Sequence, residues 1–299
     1  MSVVYCVLFV LRGGGTERER IIITIYANNN ILDPVLYLCA YPSLYYIKGS
    51  INRNGSKIDR IVVSLDSHHK MHIAHPSFWV DGETGKNHPP PFTLISSSDI
   101  MEGRWKPRND LIASRKMKHY VDETVFGGVD KEFQLTKYCE MYARRLEEGG
   151  RFQLCIWPEH CIIGSPGHNV VKVIREALDA WGEATGESIE WVHKGQNLLT
   201  EMYSALRAEI PVDAKTSFNK TLMNYLQESN KLILCGQAMS HCVNFTVRDI
   251  VEHWPEKERG KLCLLTDCAS AVPGFEDAAD SFVNDMKAAG LNVCESRDI

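Results

Sequence analysis

No two of the 10 cysteines in this 299-residue chain are spaced as CxxC, and none falls into a framework spacing. That absence argues against a zinc ribbon or a disulfide-stapled scaffold. Several cysteines, such as Cys155, Cys235 and Cys263, sit inside apolar runs, the pattern of buried thiols in a reducing compartment, and a cytoplasmic protein is expected. The chain also lacks an apolar run near the roughly 20 residues a membrane span needs. Its N-terminal "VVYCVLFVL" is short, has no basic start and is followed by no small-residue cleavage site, so a strand or an extension is expected there rather than a signal. There is no dense Lys/Arg block, and the formal net charge is −5, so neither nucleic acid nor an anionic membrane is an expected partner. No internal repeat is present.

What is present is alternation. "RIIITIY" (20–26), "RIVVSLD" (60–66), "FQLCIW" (152–157), "IEWVHKG" (189–195), "KLILCG" (231–236) and "KLCLLTD" (261–267) are short, aliphatic or β-branched, and without strict period two. Such runs suit parallel strands covered on both faces. Helical patterns separate them: "KEFQLTKYCEMYARRLEEGG" and "NVVKVIREALDAWGEATG" both end in glycine, and "FNKTLMNYLQES", "CVNFTVRDIVEHW" and "FEDAADSFVNDMKAAG" follow. A last strand is expected at "LNVCES". The pattern predicts an α/β fold: a three-layer αβα sandwich with a mostly parallel central sheet, over residues 1–299 as one domain. Residues 77–126 break the alternation with "NHPPPFTLISSSD" and read as an insertion beside the site or at a subunit contact.

Ligands in open parallel sheets bind beyond the carboxyl ends of the strands, and the residues there form a coherent set. "SLDSHHKMHIAHPSF" places Asp66 and His68 one residue apart, so on an extended segment both can face one side. Four histidines fall between positions 68 and 75, against 11 in the whole chain. Carboxylate and imidazole within reach suit Zn²⁺ or a related divalent metal; the competing reading is a solvated polar loop. His160, just past Pro158, is the candidate third ligand, while His168 is read as opening the next helix. Trp157 is either core packing or a stacking wall for a flat ring. Lys194 closes "WVHK", where it is either a solvated charge or the partner of a thiolate. "GQAMSH" then leads to Cys242 at an expected helix start, where the partial positive charge favours a thiolate and the N–H groups can hold an oxyanion. Cys161, Cys235 and Cys268 lack these supports and are read as structural.

These segments resemble the nicotinamidase/isochorismatase-like cysteine hydrolases. The likeness rests on "LDSHHKMHIAHPSFW", "WPEHCIIGSPGH", "HKGQN…TEMYSA" and "GQAMSHCVNFTVRD", in that family's order. It implies the isochorismatase-like hydrolase fold, with Cys242 as nucleophile and Lys194 as catalytic lysine. It implies an oxyanion hole from the N–H groups of Ala238 and Cys242, with a cis peptide at Gln237–Ala238, and Trp157 lining the substrate ring. It implies zinc or another divalent transition metal on Asp66, His68 and His160, with His75 as a further ligand and His72 a weaker stand-in for His75. In metal-containing members the ion can polarise a pyridine nitrogen. Relatives are often oligomeric, and "FWVDGETGKNHPPPF" is a candidate contact between copies.

The sequence departs from the family at one place. The family carries an Asp at the end of its first strand; here the segment reads Tyr26-Ala27-Asn28-Asn29-Asn30-Ile31, with Tyr26 in the Asp position and Ile31 in place of an aromatic. Asp33 lies too far past the strand end to take over. The expected function is a metal-dependent amidase acting on a small carboxamide substrate, nicotinamide first. The alternatives are a non-catalytic or weakened relative that binds a small aromatic amide, and an amidase for another carboxamide or ureido compound.

Overall fold

The computed structural model describes residues 4–12, 18–26, 34–114, 116–128, 133–149 and 152–299, and of 4–12, 18–26 and 34–41 the backbone course alone. Seven strands form the main sheet: β1 (Val4–Arg12), β2 (Arg18–Tyr26), β3 (Ile58–Asp66), β8 (Glu190–Lys194), β9 (Leu232–Gly236), β10 (Leu262–Leu265) and β11 (Asn292–Cys294). Their order is β11-β10-β9-β1-β2-β3-β8. Only β1 runs antiparallel to its neighbours; β3 with β8, β9 with β10 and β10 with β11 are parallel. The N-terminal apolar run is therefore a strand. Two small ribbons lie apart, β4 (Trp79–Asp81) with β6 (Trp105–Pro107) and β5 (Leu94–Ile95) with β7 (Leu154–Cys155).

The period-two rule of a strand sorts the central side chains into two layers. Ile61, Val63, Leu65, Ile233, Cys235, Cys263 and Leu265 pack under the helices Pro34–Asn54 and Lys172–Thr185. Val62, Leu232, Leu234, Leu262 and Leu264 pack on the other side against Lys220–Gln227, Cys242–His253 and Glu276–Ala288. That is the three-layer arrangement expected. Among the described residues no helix is long and apolar enough to cross a membrane.

One expected strand is misplaced. "FQLCIW" does not join the main sheet: Leu154–Cys155 pairs antiparallel with Leu94–Ile95. A short apolar run reports burial but not its partner, and this one is buried by the 77–126 segment. That segment contributes Phe78, Trp79, Ile95, Ile100 and Leu111 to a third core shared with the helix Leu135–Gly149. Tyr26 closes β2, as read; residues 27–31 and Asp33 lie outside the described residues.

Phe282 is fully buried in the second layer. Phe282→Ala is expected to cost about 3–5 kcal/mol through lost burial and the cavity left behind, read as a lowered denaturation midpoint with an unchanged denaturant slope.

Candidate active site

β9 ends at Gly236, and the next peptide, Gln237–Ala238, is cis. The helix that follows begins at Cys242, whose side chain is buried. What fixes this turn is Gln237. Its carbonyl accepts the Ser270 N–H at 3.0 Å and the Ser270 hydroxyl at 2.7 Å, and its amide donates to the Ser43 hydroxyl. The side chain of Gln237 is thus committed to holding the turn, and the backbone carries what the turn presents.

Lys194 is the last residue of β8, and its register partner is Asp66, the last of β3. An ammonium has three donors, and all three are used in a buried setting. One goes to Asp66 Oδ1, one to the Met202 carbonyl at 2.8 Å and one to Cys242 Sγ at 3.6 Å. Burial alone would lower the lysine's pKa, but the charges of Asp66 and Cys242 outweigh it and hold the ammonium protonated above its ordinary range. Gly195 follows in the left-handed region, φ +74°, and a Cβ there would stand 2.5 Å from His68 Cε1. Both facts require glycine.

On the other side of Asp66 four imidazoles converge. Ring centroids are 4.6 Å apart for His68 and His72, 4.8 Å for His68 and His160, and 5.2 Å for His75 and His160. Each ring is oriented by a backbone carbonyl: Gly195 for His68 at 2.9 Å, Thr200 for His72 at 3.1 Å, Lys70 for His75 at 3.1 Å, Pro158 for His160 at 2.8 Å. Burial, reinforced by neighbouring rings, keeps all four neutral; His72, His75 and His160 are pushed down to about 3. Neutral imidazoles with fixed tautomers are ligands for a borderline divalent ion.

Two candidate ligand groups share His68. Asp66, His68 and His160 form one; His68, His72 and Glu201 form the other, with ligand atoms all within 4.8 Å in each. Glu201 was not singled out from the sequence. One of its oxygens accepts the Met202 N–H at 2.9 Å and lies 4.0 Å from His68 Nε2. The other, Oε2, is buried with no hydrogen-bond partner. Burial, then Asp66, pushes the Glu201 carboxyl up to about 8. A buried carboxyl group with one oxygen unpartnered and the other 4.0 Å from the His68 ring fits a cation better than it fits an apolar core. The signal was within reach: Glu201 opens "EMYSA", a few residues past a strand end. His168 does not open a helix; the next one starts at Lys172, and His168 and His193 instead hold the Ser67 hydroxyl at 2.8 and 2.9 Å.

Aromatic rings close the thiol side. Trp157, half-buried, donates Nε1–H to the Tyr203 hydroxyl at 2.9 Å and stands edge-on to His241 at 5.2 Å. Phe152 stacks on His241, centroids 5.0 Å apart at 11°. Tyr203, Cys242 and Phe245 form one apolar cluster with Phe152 and Trp157. Trp157 therefore both packs and walls the thiol. Tyr203, His241 and Phe152 were unassigned in the sequence, although two of them lie inside the quoted motifs.

No family model matches the chain. The nicotinamidase of Escherichia coli strain K12 is 30% identical over 138 residues, which is 46% of this chain and 56% of that protein. The match thus spans about half the length of its curated relative. The structure of the yeast nicotinamidase Pnc1p superposes with a TM-score of 0.53 at 16% identity, covering 89% of this chain and 94% of that one. Its complex with the inhibitor nicotinaldehyde gives 0.52 at 15% identity, covering 90% and 94%. At these identities the two structures establish the fold.

His68 belongs to both candidate ligand groups, so after incubation with zinc and gel filtration His68→Ala is expected to carry less of it than His193→Ala, which alters the Ser67 and His168 contacts. Elemental analysis decides it; stoichiometric zinc on the His68→Ala protein would remove the assignment.

Proposed function

We propose, from its 30% identity over 138 residues to a nicotinamidase and from the fold it shares with the yeast enzyme, that the chain is a metal-dependent cysteine amidohydrolase of the isochorismatase-like nicotinamidase family, converting nicotinamide and water to nicotinate and ammonia. The observation that carries this reading is the placement of Cys242 Sγ at a helix start, 3.6 Å from the Lys194 ammonium and inside an aromatic pocket.

The helix terminus and Lys194 favour the thiolate. The Cys242 sulfur adds to the amide carbon, and the carbonyl oxygen becomes an oxyanion received by the backbone N–H groups of Ala238 and Cys242. The carbon–nitrogen bond then breaks. The proton lost by the thiol ends on the departing nitrogen, which leaves as ammonia, and a thioester remains on Cys242. Water cleaves it: its hydroxyl joins the acyl carbon, and a proton restores the thiol. Trp157 and Tyr203 flank the ring, and water is excluded by the buried wall they form with Phe245.

Asp66, His68 and His160 would hold the metal, with His75, His72 and Glu201 in reach. When bound, a divalent transition ion supplies a Lewis-acid anchor for a ring nitrogen, which sets the carboxamide over the sulfur.

A second reading draws on Tyr26, which closes β2 where the family carries Asp. Under it the chain keeps the pocket and binds a small aromatic amide with weak or no turnover. The 77–126 segment, packed beside the site, would also suit another carboxamide or ureido substrate.

Zinc-loaded protein is expected to release ammonia from nicotinamide, and Cys242→Ala to reduce release to background with zinc retained. Release that persists in Cys242→Ala removes the thioester route. No release from intact, metal-loaded protein points to a different amide substrate or to the binding reading.

A further inference from the structure

Among the described residues, two that are not glycine hold a positive φ: Cys161, at +51°, and Phe92, at +68°. Cys161 is buried and follows His160. Phe92 is different, since its side chain is 48% exposed. A bulky residue in the left-handed region carries a backbone cost, and an exposed phenyl ring recovers little of it by burial. Phe92 belongs to none of the buried apolar clusters of the described residues.

Its position explains the choice. The ribbon pairs Leu94 with Cys155 and Ile95 with Leu154. The ladder continues one step, with Phe92 N–H donating to the Ile156 carbonyl and Ile156 N–H to the Thr93 carbonyl at 2.8 Å. Phe92 therefore stands opposite Trp157, and cross-strand partners share a face. The two rings meet edge to face, centroids 5.8 Å apart. Trp157 in turn stands over His241 and bonds Tyr203, beside Cys242. Leu94, two residues on and 54% exposed, extends the same face. The 77–126 segment thus lends the rim of the thiol pocket an aromatic ring, aimed by a backbone that glycine would adopt at lower cost.

Resting on the reading of Cys242 as a thiol nucleophile, we propose that Phe92 is a specificity-determining residue, an aromatic lip that receives one edge of a flat, ring-bearing substrate against Trp157. An edge-to-face contact of this kind is worth about 0.5–1.5 kcal/mol, or roughly two- to twelvefold in affinity.

The test compares wild type with Phe92→Gly and Phe92→Tyr, using two aldehydes that add reversibly to a thiol. In that addition the sulfur bonds to the carbonyl carbon and the thiol proton passes to oxygen. Nicotinaldehyde carries an aromatic ring and acetaldehyde none; each is titrated for protection of Cys242 from iodoacetamide, read by mass spectrometry. Phe92→Gly is expected to weaken protection by nicotinaldehyde roughly two- to twelvefold, leave acetaldehyde unchanged and leave Tm unchanged or higher, because the backbone cost is gone. Phe92→Tyr is expected to keep wild-type protection. If wild type turns nicotinamide over, KM rises in Phe92→Gly with kcat retained. Loss of both probes together with a lower Tm, or no change in either probe, overturns the proposal. Failure of wild type to release ammonia from nicotinamide while nicotinaldehyde still discriminates the variants refutes nicotinamide as the substrate and leaves the lip standing.

Discussion

The ion pair between Lys194 and Asp66 is the constraint on which the site depends. Both residues end parallel strands in register, both are buried, and the lysine's remaining donors reach Met202 and Cys242. Removing one partner of a buried pair typically costs about 3–5 kcal/mol, because the other charge is left uncompensated. The pair therefore fixes the ends of β3 and β8 relative to the helix that starts at Cys242. The lysine on the thiol side and the candidate ligand group on the imidazole side share one carboxylate, Asp66.

The sheet makes that sharing possible. Alternation along β3, β9 and β10 buries both faces under helices, and the polar groups of the site collect at the carboxyl edge. Polar groups collected at that edge must satisfy one another. Backbone carbonyls do much of this, one for each imidazole in the pocket. The cis turn is held the same way, by the Gln237 amide tied to Ser43 and Ser270.

The strands and helices of the two sheet layers were legible because their residues are apolar at the right period; Asp66 and Lys194 stood out because they close strands, His68 because it follows one by two residues, and Cys242 because it opens a helix. "FQLCIW" was legible as a strand but not as a ribbon partner, since its hydrophobicity is satisfied equally by a sheet or by the 77–126 segment. Glu201 escaped notice because a single acidic residue in a loop has no period; only its burial marks it. Phe92 was invisible for a further reason: its significance lies in a backbone angle and an exposure, neither of which has a signature in the amino-acid order. Tyr26 was read as ending a strand, and it does.

Gly195 joins Lys194 to a backbone carbonyl that holds His68, and its missing side chain is what lets the imidazole approach. The thiol side and the metal side are thus hinged on one residue with no tolerated alternative. A side chain placed at Gly195 would disturb His68 and Lys194 together, so a change in one of the two arrangements alone has to come from other positions. The imidazole cluster and the lysine that reaches the thiol are thus tied together at Gly195 as well as at Asp66.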